Sequence, residues 1–184
     1  AAVAGLALPI DAVRATLATF GFDPRDNPGR LELHSHRGAT VLIDYAHNPD
    51  GLARLLAVAR TLPHKRLLLL LGQAGNRSDE AIAELARTAA AAQPDLVVIK
   101  ELPEMLRGRQ PGEVPALLQR TLLDAGLAAT QLQQGSDETA GALMLLQGAR
   151  ADDVLVLPLH SAAGRREVLQ RMDSALQPLG IGGA

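Results

Sequence analysis

The chain has 184 residues, a formal net charge of −2, 47% hydrophobic and 21% charged residues, a composition that can bury an aliphatic core and is too apolar for a disordered chain. One Tyr, two Phe and no Trp leave no series of aromatic faces for bases, and the near-neutral charge provides no field to neutralise phosphates, which argues against a nucleic-acid partner. The absence of Cys excludes disulfides and thiolate sites and fits a cytoplasmic chain, while the longest obvious apolar run, Leu67–Leu71, is far too short to span a bilayer.

The N-terminal Ala1–Leu6 is apolar but has neither an initiator Met nor a basic segment, so it reads as no signal peptide, and the chain reads as a piece cut from something larger. A helix is expected from about Pro9 to Phe20, followed by a polar linker over Gly21–Gly29 that marks a domain boundary. Arg30–Ser35 and Ala39–Tyr45 read as two strands of a hairpin turning near Arg37-Gly38. Strand and helix then alternate, with strands at Leu67–Leu71, Leu96–Lys100 and Val154–Leu157 and a weaker one at Thr130–Leu132. Apolar residues at helical spacing fill the gaps, as in Leu52, Leu55, Leu56 and Ala59. Asn48-Pro49, Ser78 and Ser136-Asp137-Glu138 offer helix starts, and Gly126 a helix stop. The pattern predicts an α/β fold, a Rossmann-like and mostly parallel sheet with helices on both faces and an N-terminal β-hairpin.

In such a sheet, ligands bind outside the carboxyl ends of the strands, so the loops after the strands are the place to look. The first runs Asp44-Tyr45-Ala46-His47-Asn48-Pro49. An Asp there can accept hydroxyl hydrogen bonds, as from a ribose, though such an Asp is more often a turn or capping residue. His47 has no second ligand at metal-like spacing, and no metal site is expected. The second loop, Gly72–Asp79, has two glycines but lacks the Lys-Ser/Thr of a P-loop, so a tight turn is favoured over a phosphate cradle, and no P-loop occurs elsewhere. The third, Lys100–Glu113, carries Arg107 and Arg109 around Gly108, able to clamp a carboxylate or phosphate, or simply to be solvated. His160, alone after the last strand, reads as structural.

Asn27-Pro28-Gly29-Arg30-Leu31-Glu32 followed by Asp44-Tyr45-Ala46-His47-Asn48-Pro49 resembles the join between the central and C-terminal domains of the Mur ligase family. Gly75–Glu80 and the stretch from Ile99-Lys100-Glu101 through Arg107–Glu113 look most like its cyanophycin synthetase branch. The resemblance implies that residues 1–26 are the tail of a central ATP-binding domain and 27–184 the C-terminal ligase domain. It also implies an ATP-dependent amide-bond ligase, in which an amino-acid amine attacks an acyl phosphate. On that basis Arg30 would approach the ATP phosphates, Asp44 would bind the ribose, and His47 and Asn48 would edge the nucleotide. Arg77, Lys100, Glu101, Arg107 and Arg109 would meet the incoming amino acid. No catalytic side chain is assigned. ATP and Mg2+ would be held mostly by the chain's own central domain, its expected partner together with a small amino-acid substrate. The motif expected of diaminopimelate-adding ligases is not matched at Glu101-Leu102-Pro103-Glu104, nor is the acid-rich stretch after the last strand of the cyanophycin branch. The fragment is expected to be inactive alone. The competing reading is a non-catalytic nucleotide- or amino-acid-binding module derived from such a ligase.

Overall fold

The computed structural model describes residues 27–172 together with Pro9, Asp11 and Ala12, so most of the helix expected at Pro9–Phe20 and of the linker at Gly21–Gly29 lies outside the described residues. Two strands, β1 (Glu32–His36) and β2 (Ala39–Asp44), form the expected hairpin. Helix α1 (Pro49–Thr61), β3 (Arg66–Leu71), α2 (Asp79–Ala91), β4 (Leu96–Lys100), α3 (Glu113–Asp124), β5 (Leu132–Gly135), α4 (Glu138–Gly148), β6 (Asp153–Pro158) and α5 (Ala162–Gln170) follow. The six strands lie in the order β1-β2-β6-β3-β4-β5, antiparallel only between β1 and β2. The α/β class and mostly parallel sheet are as the alternation predicts.

The unbroken leucines of β3 have a two-sided explanation. Leu67, Leu69 and Leu71 enter a core under α1, α2 and α3, while Leu68 and Leu70 enter a second core against α4 and α5. Strand side chains alternate between faces, so a strand covered on both sides has no polar position. Strand β6 divides the same way, with Val154 and Val156 in the first core and Leu155 and Leu157 in the second. No helix of the described residues is long and apolar enough to cross a membrane.

Two local expectations change. The weak strand begins at Leu132 rather than Thr130, because Ala129–Gln131 form a 3-10 turn. The Gln131 side chain closes that turn, its Oε1 accepting from the Ala128 amide and its Nε2 donating to the Pro94 carbonyl. At α4 the cap is the Asp137 carboxylate, accepting from the Ala140 amide at 2.8 Å, and not the Ser136 hydroxyl. Asp137 directly precedes the first helical residue, the position from which a side chain reaches the third free amide. Asn48 and Ser78 cap α1 and α2 as read, with Pro49 opening α1, and Gly126 stops α3 at φ +98°.

Two features bring the strand ends together. Gly135 and Gly141 let β5 and α4 touch through their backbones; a Cβ on Gly135 would lie 2.7 Å from the Gly141 Cα. Lys100, at the end of β4, is fully buried and joins the Glu138 carboxylate at the start of α4, at 2.6 Å, to the Pro158 carbonyl at the end of β6. Gly72 leaves room for the lysine stem, since a Cβ there would meet Lys100 Cγ at 2.4 Å.

Gly135→Ala should therefore lower the urea midpoint, at a cost on the order of 2 kcal/mol, because the obstacle is backbone and cannot rotate away. Lys100→Met should cost more, about 3–5 kcal/mol, by leaving Glu138 buried without its counter-charge. An unchanged midpoint in either variant would show that the corresponding seam is loosely packed.

Candidate functional site

The linker before β1 is fixed from both sides of Arg30. Glu32, buried at the start of β1, accepts from the Gly29 amide at 2.7 Å and is paired with Arg165 of α5 and with the His34 ring. Burial alone would push the Glu32 carboxyl up, but these donors outweigh it and hold it below the usual range. On the other side, the Leu31 amide donates to Asp44 Oδ2 at 2.8 Å. Leu31 has φ +45°, a left-handed conformation that costs a non-glycine residue about 1–2 kcal/mol. The Asp44 bond helps to hold it there. The result places the Arg30 guanidinium 4.7 Å from the centre of the Tyr45 ring, within the range of a cation–π contact.

Tyr45 is in turn packed between two imidazoles, His47 and His160, each with its ring centre 5.4 Å away. It remains 36% exposed, so its ring still offers surface to a ligand. His47 Nδ1 donates to the Tyr45 carbonyl, and Asn48 Oδ1 accepts from the Gly51 amide as the cap of α1. The buried Gln73 ties this loop to the next by donating to the His47 carbonyl at 3.0 Å. The glycines of the second loop serve packing. Gly75 donates to the Met105 carbonyl, and a Cβ there would strike the Leu106 carbonyl oxygen at 2.0 Å.

The basic residues expected around an incoming substrate divide in two. Arg77 and Arg107 come together with Tyr45, His47 and His160 around a cleft of about 210 Å³. Arg109 does not share their freedom. Its guanidinium donates to the carbonyls of Gly75 and Arg77 and pairs with Asp79 and Glu113, clamping the second and third loops, with only 15% of the side chain exposed. Lys100, expected at the substrate, is likewise turned inward. Burial pushes its ammonium pKa down against the pull of Glu138. Glu101 accepts from the Gly112 amide and so closes the third loop on itself.

The sequence reading took His160 in the loop after β6 as structural and left out what supports that loop. Glu138, read only as a first-turn acid, accepts from Lys100 and from the amides of His160 and Ser161. Burial would raise its carboxyl, yet Lys100 and these amides outweigh that and hold it low. His160 has its pKa pushed down to about 4, chiefly by burial and then by the Lys100 charge. Glu138 does not reverse this, since its charge is already met by Lys100 and it lies 3.5 Å from His160 Nδ1, beyond a strong hydrogen bond. The same loop borders a second cleft of about 310 Å³, lined among others by Met105, Glu104, Asp137, His160 and Ser161. An acid and a histidine that follow a helix cap and a strand end were the available signals, and neither is distinctive by itself. Among the described residues, no group of three His, Asp or Glu is placed to hold a metal ion.

Comparison with known proteins gives the family and the fold. The family model for the Mur ligase, glutamate ligase domain, matches residues 29–158, well over half of the chain. The cyanophycin synthetase of Trichormus variabilis is 33% identical over 109 residues, 59% of this chain and 12% of that protein. A UDP-N-acetylmuramoyl-L-alanyl-D-glutamate–2,6-diaminopimelate ligase of Synechococcus sp. is 31% identical over 160 residues, 82% of this chain and 29% of that one. The chain thus spans a minor part of the relatives it matches. Among solved structures, a 2,6-diaminopimelate ligase superposes with a TM-score of 0.59 at 20% identity, covering 78% of this chain and 30% of that one. Mycobacterium tuberculosis folylpolyglutamate synthase complexed with ADP also gives 0.59, at 21% identity, covering 91% and 36%. At these identities the superpositions show a shared fold. On the strength of the matched domain, this chain belongs to the Mur ligase family.

Proposed function

We propose that this chain is the C-terminal domain of an ATP-dependent amide-bond ligase, with residues 1–26 as the tail of a preceding ATP-binding domain and 27–184 as the ligase domain. The observation that carries the reading is the Arg30–Tyr45–Asp44 arrangement at the carboxyl end of the sheet, a cation, an aromatic face and a carboxylate held beside one another. These groups have the chemistry that phosphates, a nucleobase and a ribose require. Some relatives carry matching names: one solved folylpolyglutamate synthase is complexed with ADP, and another is described with Mn, AMPPNP and L-glutamate bound.

In this reading Arg30 meets the phosphates of ATP, and Asp44 offers the ribose its second carboxylate oxygen while the first keeps Leu31 in place. His47 and Asn48 edge the nucleotide. The exposed Arg77 and Arg107 meet the carboxylate of the incoming amino acid, and Lys100, Glu101 and Arg109 shape the loops that carry them. ATP supplies the phosphoryl group that activates a carboxylate for attack by an amine. Mg2+, like ATP, is assigned mostly to the central domain. The partners are then the chain's own central domain and a small amino acid, in a cytoplasmic enzyme.

Asp44→Ala in the whole protein should raise the KM for ATP roughly tenfold or more, the loss of a charged hydrogen-bond acceptor, measured as phosphate release against ATP concentration. Unchanged ATP dependence would remove Asp44 from the site. The 184-residue chain by itself should release no phosphate from ATP above the blank; clear turnover would overturn its reading as half of a divided active site.

A further inference from the structure

His160 lines both clefts, as do Leu102 and Met105, with Tyr45, His47 and Arg77 in the first and Glu104, Asp137 and Ser161 in the second. Its side chain is 5% exposed and is gripped at three points. Nε2 lies 3.1 Å from the Ala46 carbonyl oxygen, and because a carbonyl only accepts, the hydrogen must sit on Nε2. The ring packs on that of Tyr45 nearly at right angles, with an interplanar angle of 81°. Behind it, the backbone amides of His160 and Ser161 are held by Glu138, itself neutralised by Lys100. Ala46 lies between Tyr45 and His47 in sequence, so one side chain from the loop after β6 touches both the backbone and the ring of the loop after β2.

We propose that His160 is a positioning residue: anchored through Glu138 and Lys100, it sets the Tyr45–His47 loop and hence the aromatic face beneath Arg30, from the side of the second cleft. Whatever occupies the second cleft and shifts His160 must then alter the Tyr45 face, and the influence is reciprocal in free energy. The inference rests on the proposed nucleotide reading only for the purpose of that loop, not for its geometry.

The test uses the full chain and two variants, His160→Phe, which keeps a ring without the donor, and His160→Gln, which restores an amide donor without the ring. Loss of one net hydrogen bond should speed amide exchange across residues 45–48 about fivefold in His160→Phe, with His160→Gln intermediate and the rest of the sheet unchanged. Tyr45 is the only tyrosine and there is no Trp, so tyrosine emission reports this loop alone and should change in parallel. Uniformly faster exchange over the whole chain, or no change in either variant, would overturn the proposal. Should a variant fail to fold, long-range proton–nitrogen NMR of the unmodified chain decides: hydrogen on Nε2 of His160 supports the proposal, and hydrogen on Nδ1 overturns it. Titration with ADP separates the two readings. If ADP added to the whole protein leaves amide exchange across residues 45–48 unaltered, the nucleotide reading fails, while the exchange and NMR results on the variants still decide the role of His160.

Discussion

The buried pairing of Lys100 with Glu138 is the constraint around which the carboxyl end of the sheet, with its candidate site, is organised. An ammonium and a carboxylate are withdrawn from water at the point where β4, β6 and α4 converge, and each must find further partners there. The Pro158 carbonyl completes the lysine, and the amides of His160 and Ser161 complete the glutamate. The order of the sheet makes this possible, because β6 lies between β2 and β3 and so brings the loop after the last strand beside the loop after β2. An apolar pair of similar volume could fill the same space at little or no loss of stability. What it could not do is fix the direction of the backbone amides leaving β6, and with them the ring of His160.

A second buried carboxylate does comparable work at the other side of the site. Glu32 joins the first strand, the final described helix and the linker amide before Arg30. Asp44 holds the next amide, so the arginine projects from a segment tied down on both sides. Both acids spend part of their hydrogen-bonding capacity on the backbone. The cation and aromatic face that result are thus products of main-chain control as much as of side-chain identity. Arg109 follows the same logic, since its four partners convert two long loops into one surface on which Arg77 and Arg107 stand.

Much of this was legible in the amino-acid order. The hairpin, the alternation of strands and helices, the two-sided burial of Leu67–Leu71 and the caps at Asn48 and Ser78 are local consequences of spacing, propensity and side-chain chemistry. The paired motifs at Asn27–Glu32 and Asp44–Pro49 carried the family. The polar edge strand Leu132–Gly135 starts two residues later than the spacing predicts, because a 3-10 turn closed by Gln131 on the distant Pro94 carbonyl precedes it.

The roles of the charged residues were settled elsewhere. Lys100, Arg107 and Arg109 look alike in sequence, as cations of one loop, yet one is sealed beneath the sheet end, one clamps a neighbouring loop and one faces a cleft. Sequence by itself determined which residues could bear charge, where strands and helices would form, and which family the pattern resembles, because those depend on neighbours along the chain. The tertiary structure alone decided which charges are consumed internally and which remain to meet a ligand. Desolvation and pairing depend on residues tens of positions away, as Glu138 is from Lys100, and only the folded sheet brings them within a hydrogen bond.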